Sequence, residues 1–150
     1  MKIKLFLICL FLLNLSLAKA QRISFIVDKN RDEVINLVGK LQGTLSKDGP
    51  FDAIKDDRLF TTTIPIKDEV YPSVNNKNYL IVKYKNRPVR AMITSLWLIN
   101  IEKMTATKTK VSCTLVNVTP GKSSARSIDS DETFSSGKFE KQLKDFILKK

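Results

Sequence analysis

The stretch from Tyr79 to Ile101, YLIVKYKNRPVRAMITSLWLINI, constrains the fold more than any other part of the chain. It is rich in the β-branched and aromatic residues that suit a pleated, half-buried surface, and only Lys85-Asn86-Arg87-Pro88 interrupts it with turn chemistry. It reads as two β-strands joined by a short basic turn, with the core gathered around them. Side chains alternate along a strand, so Ala91, Ile93, Ser95, Trp97, Ile99 and Ile101 share one side while Met92, Thr94, Leu96 and Leu98 share the other. Both sides are apolar from Leu96 to Ile99. Either a helix, a partner chain or a ligand covers each side, or the strand bends so that its end enters the core twice.

The other elements follow from period and turn signals. Arg22 to Val27 reads as a first strand with Ile23, Phe25 and Val27 on one face. Asn30 with Glu33 has the form of a capping box, and Val34, Leu37, Val38 and Leu41 recur at helical spacing after it. Gly39 inside this helix suggests close packing on a sheet, and Gly43 is a natural stop. Thr44 to Asp57 reads as a connection, and Arg58 to Ile66 as a strand whose Pro65 belongs at an edge or exit. Lys67 to Asn78 reads as a polar turn region. Lys108 to Val118 is a further strand, and Thr119 to Glu132 a loop. A final helix from about Gly137 carries Phe139, Leu143, Phe146 and Ile147 as a stripe, with Ser135 or Ser136 as its cap.

Residues 1 to 20 read as a cleavable secretory signal. Lys2 and Lys4 precede an apolar segment from Leu5 to Leu17, and Ala18-Lys19-Ala20 supplies a small-residue cleavage site before Gln21. The uninterrupted run from Leu5 to Leu13 falls short of the roughly 20 apolar residues of a membrane span. Cys9 lies inside that run without small residues before it, which argues against a lipoprotein signal. Residues 21–150 then form a single α+β domain, secreted or periplasmic. Losing Lys2, Lys4 and Lys19 lowers the net charge from +11 to +8. Such a domain is drawn to anionic envelope surfaces or acidic polysaccharide, or is simply soluble. No basic run reaches the roughly 5 to 8 residues of a nucleic-acid patch, so nucleic acid is not expected as a partner.

Several chemistries are excluded by composition. The chain holds no histidine, which rules out Ser-His-Asp and Cys-His arrangements. Cys113 is the only cysteine after the signal, so no internal disulfide can form. Its place between Val111 and Leu115 marks it as a small buried hydrophobe. Asp48, Asp52, Asp56 and Asp57 cluster in a loop, where no rigid element holds two carboxylates across a cleft. They also lack calcium-loop spacing. No G-x-G-x-x-G, Walker-type or C-x-x-C signal appears, so no cofactor or metal is expected and the chain reads as a non-enzyme. Asn117-Val118-Thr119 has the form of a glycosylation acceptor, which a bacterial chain would not use. Arg90 opens a strand within reach of acidic neighbours such as Asp68 or Glu69. A salt bridge is the plainer reading there, and an anion site the sharper one.

The order strand, helix, four strands, helix, together with Tyr84-Lys85-Asn86-Arg87-Pro88-Val89-Arg90, resembles a family of secreted domains of unknown function from Bacteroidota-type bacteria that have a TBP-like fold. Lys85 and Arg90 fill the two charged places of that family's Lys-turn-Arg hairpin. The chain departs from the family pattern in its Lys-Asn-Arg-Pro turn and in placing its one tryptophan, Trp97, in a strand. The resemblance implies an antiparallel sheet of about five strands with an N-terminal and a C-terminal helix packed on it, and an extracytoplasmic compartment. It implies no DNA binding. The function expected is the binding of a partner protein or envelope component. The arrangement is also similar to helix-grip domains of the START or Bet v 1-like type, which imply a carrier of hydrophobic ligands. Leu96, Trp97, Leu98 and Arg90 are the candidate ligand-binding residues, with an apolar ligand lying beside Trp97.

Overall fold

A computed structural model of the chain describes residues 22–45, 51–70, 79–83, 91–120 and 132–149. Among these described residues, seven strands and two helices follow one another as β1 (Arg22–Val27), α1 (Arg31–Leu45), β2 (Phe51–Lys55), β3 (Leu59–Val70), β4 (Leu80–Lys83), β5 (Ala91–Lys103), β6 (Thr109–Pro120), β7 (Glu132–Ser135) and α2 (Lys138–Leu148). The main sheet has five strands in the order β1-β6-β5-β3-β2, and each neighbouring pair is antiparallel. A second sheet pairs β4 with β7.

This second sheet corrects the expectation of a hairpin through residues 85–88. Leu80 faces Ser135 and Ile81 faces Phe134, so the first half of the apolar stretch leaves the main sheet and pairs with a segment about fifty residues on. The place beside β5 is taken by β3, and the fifth strand of the main sheet is β2, at the edge and within a stretch that reads from sequence as a connection. The turn at 84–90, Arg90 included, lies outside the described residues, as do residues 1–21 and 121–131. β3 continues to Val70, past the point where a turn is expected, and forms a register with β5 from Leu59↔Glu102 to Val70↔Ala91. Pro65 sits two residues beyond the last position that β2 covers, Thr63. On that side β3 has no partner strand among the described residues, so the missing N–H breaks no ladder there.

The odd-numbered side of β5 is the floor of the core. Ile93, Ser95, Trp97, Ile99 and Ile101 are all buried, Trp97 completely so. Ile64 and Ile66 of β3, Val111 and Cys113 of β6 and Val27 of β1 extend this floor, and both helices pack down on it. From α1 come Val34, Leu37, Val38 and Leu41, and from α2 come Phe139, Leu143 and Ile147. The Phe139 ring lies 4.8 Å from that of Trp97 and meets Tyr79 edge-on at 6.1 Å. Trp97 therefore fills the interface between sheet and helix.

The helix ends show how local sequence sets the elements. Asn30 Oδ1 accepts the Glu33 N–H at 2.9 Å, the first half of the capping box, while the Glu33 carboxylate reaches Lys29 at 2.9 Å. Gly43 does not stop α1, which runs on to Leu45. A Cβ built on Gly39 would meet nothing within 4 Å, so this glycine is not required by close packing. The cap of α2 is Gly137, at φ 80°, rather than either serine. Ser135 still organises the turn: its Oγ accepts the Gly137 N–H at 2.9 Å and donates to Glu140 Oε1 at 2.6 Å.

Candidate functional site

Because both helices lie on one side of the main sheet, the even-numbered side of β5 is covered by neither. Registers across β1, β6, β5 and β3 arrange this outer face in rows. Ile26, Lys110, Glu102 and Leu59 make one row, and Ser24, Ser112, Asn100 and Thr61 the next. Arg22, Thr114, Leu98 and Thr63 follow, then Asn117, Leu96 and Pro65. The β5–β6 register shifts between Leu96 and Trp97. Val116 is left without a counterpart at this bulge and is 47% exposed. Leu96 and Leu98 are half-buried, and Met92, at the far end of the same side, is 40% exposed.

The residues expected to bind a ligand together are thus divided. Leu96 and Leu98 lie on the outer face, Trp97 points into the core, and Arg90 lies outside the described residues. The indole N–H of Trp97 donates to Ser95 Oγ at 3.0 Å, and Ser95 in turn donates to the Ile66 carbonyl at 3.2 Å. This polar relay satisfies the indole N–H within the core, where Trp97 is completely buried.

At the Glu102 end the outer face dips into a hollow of about 320 Å³ lined by Arg22, Arg58, Asn100, Glu102, Lys110 and Ser112, with Leu59 at its edge. Three cations meet one carboxylate, and Glu102 is already engaged by Lys110 at 3.4 Å. Among the described residues, neither Arg22 nor Arg58 has an ion-pair partner within 4 Å, although the Asp56 carboxylate lies close enough to Arg58 to feel its charge. Thr61 Oγ donates to Asn100 Oδ1 at 2.8 Å, which fixes the amide so that its NH₂ remains to donate. The hollow is rich in donors and poor in acceptors, the composition that suits an anion. No single segment of sequence announces it, because its residues come from four strands and a turn. The alternation of polar residues in β1, β5 and β6 is visible in the sequence, but the pairing of β1 with β6 is not.

A larger hollow of about 410 Å³ runs beside α2, past Tyr79, Gln142, Asp145 and Phe146. Lys138, Lys141 and Lys149 also line it, and part of its polar lining is paired. Tyr79 donates to Gln142 at 2.7 Å, and Lys141 pairs with Asp145, holding that carboxyl below its usual range. The sheet hollow, which lies on the face that neither helix covers, is the better candidate.

Of the remaining sequence candidates, Asp56 and Cys113 have structural surroundings, while Asp48 and the side chain of Asp52 lie outside the described residues. Asp56 closes the β2–β3 turn, its Oδ1 accepting the N–H groups of Leu59 and of Arg58, the latter at 2.7 Å. Those two bonds hold its pKa below the ordinary value. Arg31 Nη1 donates to the Asp56 carbonyl at 2.6 Å. Cys113 is fully buried; burial first, then the charge of Glu140, pushes its thiol pKa upward, away from reactivity. Gln42 Nε2 and Glu140 Oε2 are buried without a partner, on the helical side of the sheet. Among the described residues no group of three acidic or cysteine side chains could hold a metal ion, and no helix is long and apolar enough to cross a membrane.

No protein-family model and no curated protein matches the chain. Among solved structures, it is similar to a conserved protein from Geobacillus kaustophilus at 10% identity and a TM-score of 0.36, over 87% of this chain and 90% of that one. A likeness at that level carries no argument about fold or activity.

Proposed function

We propose that this is a non-enzymatic, extracytoplasmic binding domain that engages a partner or envelope component through the outer face of its five-stranded sheet. The carrying observation is the sidedness of that sheet, with both helices on one face and, on the other, a largely polar surface that holds three cations together with the half-buried Leu96 and Leu98. The signal-like residues 1–20 support export, and the absence of histidine argues against the commonest catalytic arrangements. A TBP-like assignment belongs to the same reading. With β4 and β7 set aside, the elements run strand, helix, four strands, helix, and the sheet they form is the five-stranded one.

The test is binding of the purified chain to an isolated cell-envelope fraction. Leu98→Asn and Arg58→Glu, both on the outer face, are expected to reduce binding, whereas Lys40→Glu on the exposed side of α1 is expected to leave it unchanged. Equal binding by all three variants would refute the outer face as the working surface. N-terminal sequencing of the exported protein checks the compartment, with Gln21 expected as the first residue.

A further inference from the structure

We propose that the outer face docks on an anionic lipid surface, the Arg22–Arg58–Lys110 half meeting headgroup phosphates and the Leu96–Leu98–Val116 half seated among the upper acyl carbons. This rests on the reading of the outer face as the binding surface and adds the class of its partner.

The argument is the order of chemistry along β5. From Glu102 to Met92 the strand extends roughly 33 Å, and its outer side passes from polar at Glu102 and Asn100 to apolar at Leu98 and Leu96, with Thr94, between Lys67 and Thr119, and then Met92 beyond. Around Asn100 and Glu102 the hollow offers two unpaired guanidinium groups, an ammonium, an amide and a hydroxyl. Around Leu96 and Leu98 the surface is apolar, with Pro65 on one side and the exposed Val116 on the other. A surface whose cations lie beside apolar side chains, the exposed Ile26 and Leu59 in the row of Lys110 and then the half-buried Leu98 and Leu96 in the rows beyond, complements an anionic amphiphile. An acidic polysaccharide would use the cationic half and leave the apolar half facing water. A single-stranded nucleic acid is bound on aromatic platforms, yet Phe25, Phe60 and Trp97 all point to the core side. Peripheral membrane binding draws on apolar burial together with attraction to anionic lipid, and the chain's positive net charge adds long-range attraction of the same sign.

The experiment is co-sedimentation of the full chain with vesicles of phosphatidylcholine alone and with vesicles of phosphatidylcholine and phosphatidylglycerol in equal parts. Binding is expected on the anionic vesicles only, and is expected to weaken as salt rises. The double variant Arg22→Glu/Arg58→Glu is expected to lose at least roughly tenfold in binding. Leu98→Asn is expected to weaken binding by about threefold while keeping its salt dependence. Residues 1–20 are common to all variants and cancel from the comparison, and unchanged melting temperatures show that each variant is folded. Binding that the double variant retains, or that is equal on neutral vesicles, overturns the proposal. Binding to soluble alginate that the double variant loses, with none to vesicles, overturns the lipid assignment but keeps the face as a binding surface. No binding to either, with envelope binding unaffected by the outer-face substitutions, removes both.

Discussion

The Ser95 hydroxyl accepts from the Trp97 indole and donates to the Ile66 carbonyl, so one small buried side chain satisfies two other groups. Ser95→Ala leaves the indole N–H without an acceptor, at a cost of about 1–3 kcal/mol. A lowered urea midpoint with unchanged cooperativity would report it. Asp56 acts by a different route, since its contribution depends on ionisation. Its folded pKa is depressed by the N–H groups of Leu59 and Arg58, so the stabilisation is present above the ordinary carboxylate pKa and is lost as pH falls through the lowered folded value. Wild type is therefore expected to exceed Asp56→Asn in melting temperature at neutral pH, with the gap closing below about pH 4. A gap that persisted into strong acid would show that the carboxylate charge is not what holds the turn. Cys113, buried and with its thiol pKa raised, is expected to resist thiol reagents in a Cys9→Ser background until the protein is unfolded.

At the scale of elements, α1 is legible because its signals are local. Asn30, Glu33 and the stripe from Val34 to Leu41 predict the start and the buried side that the structure has. Gly39 misleads, because a glycine in a helix can mark close packing or mark nothing, and the space beside this one is open. Gly39→Ala is accordingly expected to stabilise the protein by about 1 kcal/mol, read as a raised melting temperature. Strand pairing is less legible for a physical reason. The apolar character of Leu80–Lys83 marks it as a strand, but its partner Glu132–Ser135 has four residues, of which only Phe134 is apolar. Nothing local reveals a partner that distant. β2 is hidden in the same way behind the breakers Asp48-Gly49-Pro50. The expectation of about five strands in one sheet is met, yet β2 supplies the fifth strand at the edge, and β3 stands beside β5 where the hairpin reading places β4.

For the whole molecule, the decisive property is that one sheet has a dry side and a wet side. The period-two pattern of β5 identifies its two faces, and the apolarity of both from Leu96 to Ile99 leaves open which one the helices take. The structure decides it through Trp97, whose ring needs the large partner that Phe139 supplies. The cationic hollow depends on the alignment of β1, β6, β5 and β3 across the sheet, which only the long-range pairing fixes. Sidedness can be tested at two adjacent residues of nearly equal volume and hydrophobicity. Ile99 is fully buried beneath the helices, so Ile99→Ala removes packed methyl groups and leaves a cavity, at a cost of about 2–5 kcal/mol. Leu98, half-buried on the outer face, leaves no enclosed cavity when truncated, and Leu98→Ala is expected to cost only about 1 kcal/mol. Urea unfolding of the two variants measures the difference directly. Equal losses would mean that the outer face is as enclosed as the core, and that what covers it belongs to the fold rather than to a partner.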